Sequence, residues 1–191
     1  MGDLGSRDLL YDFDKQLAFS KGVIAATCEQ TIMAMIDGCV QVEKTDVDVD
    51  RTGVDYTATL RRGSVVRIDH KARAPGAAKF WNGEPDIALE IWSVLPDGRK
   101  GVAGWTLDER KATEYTLHTY DPSDSTDAYL FPFQLLRIAF RRELKDWMSI
   151  YQTAIQSSGK WRSQCMFVPA SKVIAAMERA MQLSAQHNPA P

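Results

Sequence analysis

Two short motifs carry the side chains of this chain that best suit metal-dependent chemistry. Asp55 ends Gly53-Val54-Asp55, and Asp69 and Lys71 belong to Asp69-His70-Lys71, whose aspartate lies fourteen residues further on. If both motifs stand at the open end of one β-hairpin, the two carboxylates lie about 5 Å apart across the ladder. Carboxylates that close repel each other unless a cation lies between them, and oxygen ligands suit Mg²⁺ or Mn²⁺.

This arrangement predicts hydrolysis of a phosphodiester bond. Mg²⁺ held by Asp55, Asp69 and the backbone carbonyl of His70 would polarise the phosphate and orient a water molecule. Lys71 is two residues beyond Asp69 and therefore on the same strand face, where it would position that water and offset charge on the phosphate oxygens. Glu29, on a predicted helix, is a further candidate carboxylate for a second ion or for an outer-shell water.

Each of these residues also has a plainer interpretation. Asp55 and Asp69 are strand-end carboxylates that face water in that alternative, and Lys71 is an exposed strand end. Glu29 fits an exposed flank of its helix equally well. The side chain of His70 points away from Asp69 in a regular strand, which favours a structural role over a ligand role.

Glu90 raises a separate question because it interrupts the apolar run Ile87–Ser93. A carboxylate in such a strand is costly unless it is paired or ligating. Glu90 therefore either joins the metal site or pairs with an arginine, and the sequence leaves both open.

The elements that position these residues follow from periodicity and turn residues. Apolar residues at helical spacing predict a helix over Asp14–Asp37 that ends at Gly38. The run 55–69 predicts a hairpin with its turn at Arg61-Arg62-Gly63-Ser64. Further strands are expected at Ile87–Ser93, Gly101–Thr106, Glu114–Tyr120 and Gln164–Pro169. A helix is expected to begin at Pro132, and Ser171 is expected to cap a last helix over Lys172–Met181. This order predicts an α/β domain with a mixed sheet.

Composition and length set broad limits. The chain of 191 residues predicts one domain, with its core at about 12–185 and a flexible tail at 186–191. The chain contains no run of eighteen apolar residues, so we expect no membrane span. It also lacks a basic segment followed by an apolar one, so we expect no secretory signal. The expected location is the cytoplasm. Cys28, Cys39 and Cys165 are too scattered for a disulfide framework or a zinc site, so we expect reduced thiols.

Charge and aromatic residues give weaker indications. The net charge is −2, yet a local basic surface still attracts phosphate, since screening limits the field to about 10 Å. A mixed-sign solvated surface is the alternative. The candidate basic residues are Arg61, Arg62, Arg67, Lys71, Arg73 and Lys79, with Arg137, Arg141 and Arg142 on the polar side of the helix after Pro132. Most of the five tryptophans are expected in the core, and Trp81 anchors a loop or stacks on a base.

The motifs Gly53-Val54-Asp55 and Asp69-His70-Lys71, after a helix that carries Glu29, resemble the signature of PD-(D/E)XK nucleases. That superfamily includes restriction endonucleases, Holliday-junction resolvases and viral exonucleases. A second pattern, Leu89-Glu90-Ile91-Trp92-Ser93 followed by Gly104-Trp105 and Thr113-Glu114-Tyr115, is similar to phage and prophage members, in which the tryptophan strands extend the sheet. The resemblance covers about residues 12–185, with Val54 in place of the nominal proline and Asp69 in place of the more frequent glutamate.

The resemblance implies a mixed central β-sheet flanked by helices, a restriction-endonuclease-like core, and a Mg²⁺-dependent nuclease acting on DNA. It also raises a homodimer as a hypothesis, because two strands must be cut. The rival is a nuclease-fold module that binds DNA or a protein without cleaving, such as a phage accessory protein. No GxxxxGK loop, HExxH motif or Gly-x-Ser-x-Gly elbow occurs in the chain, so the sequence gives no support to ATP-driven, zinc-protease or α/β-hydrolase functions.

Overall fold

Three α-helices and nine β-strands are found in the residues that the computed structural model describes, which are 24–46, 53–96, 100–157 and 162–187. The helices are α1 (Ile24–Met35), α2 (Phe133–Ile150) and α3 (Ala170–His187). The strands are β1 (Cys39–Lys44), β2 (Tyr56–Leu60), β3 (Val65–Arg73), β4 (Asp86–Val94), β5 (Val102–Ala103), β6 (Tyr115–Tyr120), β7 (Ala128–Pro132), β8 (Thr153–Ser157) and β9 (Arg162–Pro169). The chain is therefore an α/β protein, as predicted.

Five of the strands form a mixed sheet in the order β1-β2-β3-β6-β7. Strands β1, β2 and β3 form an antiparallel meander, β6 runs parallel to β3, and β7 returns antiparallel to β6. The predicted hairpin is confirmed as β2 and β3. Its turn contains Gly63 at φ 81°, a left-handed conformation that glycine adopts without the steric cost of a Cβ.

The other four strands form a second, antiparallel sheet in the order β5-β4-β9-β8. The prediction that the tryptophan-containing strands extend the first sheet is therefore wrong, because β4, which carries Trp92, pairs with β9 and β5. Strand periodicity shows which faces are buried but not which strand lies beside which. Strands β7 and β8 were not predicted at all.

Helix α1 covers one face of the mixed sheet. Its buried Cys28 and Ile32 pack against Tyr56, Ile68 and Leu117. The second sheet and helices α2 and α3 share a separate apolar core, whose fully buried members include Ile87, Leu89, Leu136, Phe140, Met166, Val168 and Val173. Cys28, Cys39 and Cys165 are free thiols, as expected.

The helix ends agree with the sequence pattern only in part. Helix α1 ends before Gly38, which is at φ 73°, and its predicted start at Asp14 lies outside the described residues. Helix α2 begins at Phe133, because Pro132 is the last residue of β7. Ser171 lies inside the first turn of α3 and does not cap it; the carboxylate of Glu84 accepts both its N–H (3.0 Å) and its hydroxyl (2.7 Å). The last helix also runs to His187, beyond the predicted Met181 and into the segment expected to be a flexible tail.

Within the described segments, no helix is both long and apolar enough to cross a membrane.

Candidate active site between the two sheets

The two predicted motifs meet where the hairpin ends and β3 continues beyond β2. Strand β2 begins at Tyr56, opposite Ile68, whereas β3 runs on to Arg73. Beyond this point the Asp55 side chain takes the place of a backbone acceptor, since its Oδ2 accepts the N–H of His70 at 2.7 Å. The N–H and C=O of one strand residue point to the same edge, so the His70 carbonyl also faces the Asp55 side of β3.

Alternation along β3 separates two sets of side chains. Ile68, His70 and Ala72 face α1, whereas Asp69, Lys71 and Arg73 face the second sheet. Register places Thr116 beside Asp69 and His118 beside Lys71 on the neighbouring strand β6. We call the surface formed by Asp69, Lys71, Arg73, Thr116 and His118 the inter-sheet face.

Asp69 is the most buried carboxylate of this face, with 1% of its surface exposed. Its Oδ1 accepts a hydrogen bond from the Lys71 ammonium at 2.6 Å, and the side chain of Lys71 remains 32% exposed. The predicted placement of Lys71 on the Asp69 face is therefore confirmed. Solvent reaches this ion pair from the lysine side only.

Lys71 links the two sheets. Its Nζ lies 5.1 Å from the centre of the Trp105 ring, and Trp105 packs against the core of the second sheet. Burial alone would lower the pKa of Lys71, but the carboxylates of Asp69, Asp55 and Glu90 outweigh it and raise that pKa. The ammonium is thus held in its charged form by carboxylates from three different segments of the chain.

Glu90 reaches this group from β4. Its Oε2 accepts the N–H of Trp105 at 2.8 Å and the hydroxyl of Ser93 at 2.7 Å. No arginine pairs with Glu90 among the described residues, and its charge acts on Lys71. Membership of Glu90 in the metal site, one of the two alternatives open from sequence, stays a prediction.

A second ion pair closes the far end of the inter-sheet face. Arg73 Nη2 lies 3.0 Å from Asp86 Oδ1, and both side chains are largely buried. The Arg73 guanidinium also stacks over the Phe167 ring at 4.5 Å, and the Tyr120 hydroxyl donates to the Asp86 carbonyl at 2.8 Å. This end of the layer is therefore sealed by paired charge, unlike the end with Lys71.

Four buried polar atoms of the inter-sheet face have no hydrogen-bond partner within the described ranges: Asp69 Oδ2, Arg73 Nε, Thr116 Oγ1 and His118 Nε2. Asp69, Thr116 and His118 are at most 2% exposed. Sequence reasoning missed Thr116 and His118. The signal was the alternation of Glu114–Tyr120, which places polar residues at 116 and 118 on one face of a strand, but the neighbour of that strand was unknown.

The two histidines next to this site differ in their contacts. His70 faces α1, where its Nε2 lies 2.8 Å from Thr119 Oγ1 and its ring packs edge-on against Tyr56, which confirms the structural role. Burial, reinforced by Lys71 and Lys44, lowers its pKa to about 4. Burial also lowers the pKa of His118 to about 3, with smaller effects of Lys71, His70 and Arg73. Both imidazoles are therefore neutral at pH 7.

Glu29 lies on α1, on the opposite side of the mixed sheet from Asp69. Its charge acts on Cys28 and Tyr56, as does that of Asp55. Asp55 thus adjoins both faces at the point where the sheet opens, and Glu29 adjoins only the α1 side. No cluster of three or more His, Cys, Asp or Glu side chains arranged to hold a metal ion occurs in the described part of the chain.

The predicted basic surface is interrupted by ion pairs. Lys71 and Arg73 pair inside the inter-sheet layer, and Arg67 pairs with Glu114 at 3.1 Å. Arg61, Arg62 and Lys79 are exposed. Arg137 was expected on a solvated helix side, which is wrong: it is 7% exposed and donates to the Asp108 carbonyl at 2.9 Å. Arg141 bonds Glu109, and Arg142 is exposed.

A cleft of about 410 Å³ opens at the start of β6, next to the point where the sheet opens. Its lining residues include Arg67, Lys111, Glu114 and Gln134. The Lys111 side chain crosses Gly53 so closely that a Cβ there would lie 2.6 Å from its Cδ, and Gly53 is at φ 79°. The glycine before Asp55 therefore lets a lysine pass directly beside the motif.

The tryptophans occupy packing positions in the described chain. Trp147 is 4% exposed, and Trp92 and Trp105 pack partly buried on the second core. Trp81 lies edge-on against Tyr120 at 5.1 Å, which supports its interpretation as a loop anchor. Trp161 lies outside the described residues.

Comparison with models of protein families, with curated proteins and with solved structures finds no match to this chain. The resemblance to PD-(D/E)XK nucleases therefore stays a prediction from the residues that carry it. The restriction-endonuclease-like core likewise stays a prediction beyond the α/β class and the mixed sheet.

Proposed function

We propose that this chain is a metal-dependent nuclease that hydrolyses phosphodiester bonds, with DNA as its substrate. The observation that carries the proposal is the Asp69 carboxylate, which is 1% exposed, bonded to Lys71 through Oδ1, and without a described partner at Oδ2. A buried carboxylate oxygen of this kind is costly unless something binds it. A divalent cation fits because Asp55 lies beside the same strand and supplies further oxygen.

Asp55, Asp69 and the His70 carbonyl would hold Mg²⁺ or Mn²⁺, and Glu29 is a further candidate from the α1 side. When bound, such an ion supplies electrostatic activation of the phosphate and lowers the pKa of a bound water. Asp69 fixes the Lys71 ammonium through a 2.6 Å contact, and the carboxylates keep it protonated. Lys71 can therefore donate hydrogen bonds to a phosphate oxygen and hold the attacking water. Substrate can approach it because 32% of its side chain is exposed.

Neighbouring basic side chains extend the proposed substrate path. Lys111 lines the cleft beside the opening of the sheet, together with Arg67, which pairs there with Glu114. Cationic side chains along a groove position a phosphate backbone without reading its sequence. We therefore place the strand that is cut along this cleft, with its scissile phosphate at Lys71.

The test is a cleavage assay of supercoiled, linear and single-stranded DNA with Mg²⁺ or Mn²⁺ and with EDTA. We expect cleavage that EDTA abolishes, and a loss of at least about 100-fold in Asp69→Asn and Lys71→Met, which corresponds to about 2.7 kcal/mol of transition-state stabilisation. Glu143→Gln, an ion-paired carboxylate on α2 far from the inter-sheet face, is the matched control and should keep wild-type activity. Equal activity in Asp69→Asn and Glu143→Gln would contradict the proposal.

The second candidate is a module of the same fold that binds DNA or a protein without cleaving it. It is favoured by one observation: the described residues bring together no group of three metal-binding side chains, and Lys71 already occupies Asp69 Oδ1. This candidate predicts a complex with DNA whose affinity falls with salt, or with a protein, and no cleavage with either metal. Wild-type binding retained in Asp69→Asn, together with absent cleavage, would select it.

A further inference from the structure

The inter-sheet face holds more unbonded polar atoms than the proposed magnesium ligands explain. Thr116 Oγ1 and His118 Nε2 are each buried and without a partner among the described residues, as is Asp69 Oδ2. Parallel register places Thr116 directly beside Asp69, and His118 one pleat further on the same face. Because each buried unpaired polar group costs about 1–3 kcal/mol, three neighbouring ones indicate a shared binding partner.

The chemistry of these atoms favours a cation as that partner. Asp69 Oδ2 is a carboxylate oxygen without a described partner, because the Lys71 ammonium bonds Oδ1. The neighbouring Arg73 pairs with Asp86. A carboxylate oxygen, a hydroxyl oxygen and a ring nitrogen of a neutral imidazole are all groups that can bind a divalent ion.

We propose that His118 is a ligand, through Nε2, of the metal ion that Asp69 holds, and that the site consequently prefers Co²⁺ to Mg²⁺. Because the described residues bring no three such metal-binding side chains together, Asp55 would reach this ion through a water. This inference rests on the metal site of the proposed function but not on catalysis. An imidazole nitrogen suits first-row transition metals, whereas Mg²⁺ favours an all-oxygen environment. Thr116 would hydrogen-bond a water on the ion.

Thr119 provides a control on the same strand as His118. Its Oγ1 lies 2.8 Å from His70 Nε2 on the α1 side, whereas His118 Nε2 has no described partner. Thr119→Val therefore removes a polar group from β6 without touching the inter-sheet face. A general effect of altering β6 would appear in both variants.

The experiment uses the full chain and two probe metals. Calorimetric titrations of Co²⁺ and Mg²⁺ into wild type, His118→Gln and Thr119→Val give affinities, and pulsed EPR of bound Mn²⁺ shows whether a ¹⁴N nucleus is coordinated. We expect tighter Co²⁺ than Mg²⁺ binding to wild type and a ¹⁴N coupling. We also expect a loss of about tenfold or more in Co²⁺ affinity in His118→Gln, with Thr119→Val close to wild type.

Several results would overturn the inference. They are a Mn²⁺ complex of the wild type without ¹⁴N coupling, equal Co²⁺ affinity in wild type and His118→Gln, and the absence of any metal binding. The EPR measurement needs no variant, so it decides the question even if His118→Gln fails to fold.

The outcomes also separate this inference from the proposed function. Metal-dependent cleavage lost in Asp69→Asn but unchanged in His118→Gln, without ¹⁴N coupling, would leave the nuclease standing and remove His118 from the site. Nitrogen-coordinated metal that depends on His118, in a chain that cleaves no DNA, would establish the ligand and remove the nuclease.

Discussion

The two faces of strand β3 have opposite chemistry although they share one backbone. On the α1 side, Ile68 and His70 pack against Tyr56 and Leu117, and the polar group of His70 is bonded to Thr119. On the inter-sheet side, Asp69 and Lys71 form a buried ion pair beside atoms without described partners. One face is built as a core and is satisfied. The other carries charge between two sheets, which a structure tolerates only when the charges are paired or bind something.

The largest expected effect tests whether paired charge holds the inter-sheet layer together. Arg73→Met leaves Asp86 buried without its partner, and we expect a loss of about 3–5 kcal/mol in the free energy of unfolding. Burial raises the pKa of Asp86 even with Arg73 beside it. Acid that protonates Asp86 should therefore reduce the loss of unfolding free energy in Arg73→Met. Urea unfolding of the wild type and the variant at pH 7 and pH 5 measures the loss and its dependence on pH.

Arg67 is the control on the same face of the same strand. Its ion pair with Glu114 is 49% and 42% exposed, so Arg67→Met should cost less than about 1 kcal/mol. Equal losses in the two variants would show that burial does not distinguish these pairs.

The next prediction concerns the apolar face. Ile68 is fully buried under α1, and Ile68→Ala should lower the free energy of unfolding by about 3 kcal/mol through lost burial and a cavity. Val65, on the same strand but 52% exposed, is the control, and Val65→Ala should change stability by no more than about 0.5 kcal/mol. Urea denaturation followed by tryptophan fluorescence measures both. A small loss in Ile68→Ala would mean that α1 does not cover this face in solution.

Acid should destabilise both faces through their histidines. The pKa values of His70 (about 4) and His118 (about 3) lie below the ordinary value of 6.5. At pH values between the folded pKa and 6.5, the unfolded state therefore binds more protons than the folded state. Stability from each histidine is complete above pH 6.5 and is lost as the pH falls toward the folded pKa, by about 2 kcal/mol per histidine at pH 5.

Unfolding measured in EDTA at pH 7 and pH 5 checks this prediction, with EDTA excluding any effect of metal. His70→Asn and His118→Gln should each flatten the pH dependence relative to the wild type. A pH profile that neither variant changes would show that both histidines titrate normally.

The smallest expected effect separates a satisfied hydroxyl from an unsatisfied one on the same strand. Thr119 lies 2.8 Å from His70 Nε2, so Thr119→Val should cost about 1 kcal/mol. Thr116 Oγ1 is buried without a described partner, so Thr116→Val should be neutral or stabilising in EDTA. Thermal unfolding of the two variants compares them directly, and a larger loss in Thr116→Val would contradict the difference between the faces.

The local part of the site was predictable from the sequence. Alternation and the turn at Gly63 were sufficient to predict the hairpin, and two-residue spacing placed Lys71 on the face of Asp69. The side chain of His70 was correctly separated from both. These features depend on contacts within about twenty residues, which periodicity and turn chemistry describe.

The rest of the site depends on pairing between distant strands. Nothing in Glu114–Tyr120 indicates that it lies parallel to β3, and therefore His118 and Thr116 were not seen as neighbours of Lys71 and Asp69. The second sheet was missed for the same reason, and with it the position of Glu90 beside Lys71. Arg137 was misassigned because helical periodicity does not show which loop, here that of Asp108, covers the polar side.

The sequence by itself thus determined the α/β class, the hairpin and the order of residues on each face of β3. Only the tertiary structure decided that the polar face of β3 lies between two sheets, since burial depends on what packs against a surface and not on the surface itself. A carboxylate at a strand end is ordinary in water. The same carboxylate requires a partner when it is only 1% exposed and lies next to an ammonium and two unbonded polar side chains. That requirement is the physical basis of the proposed site.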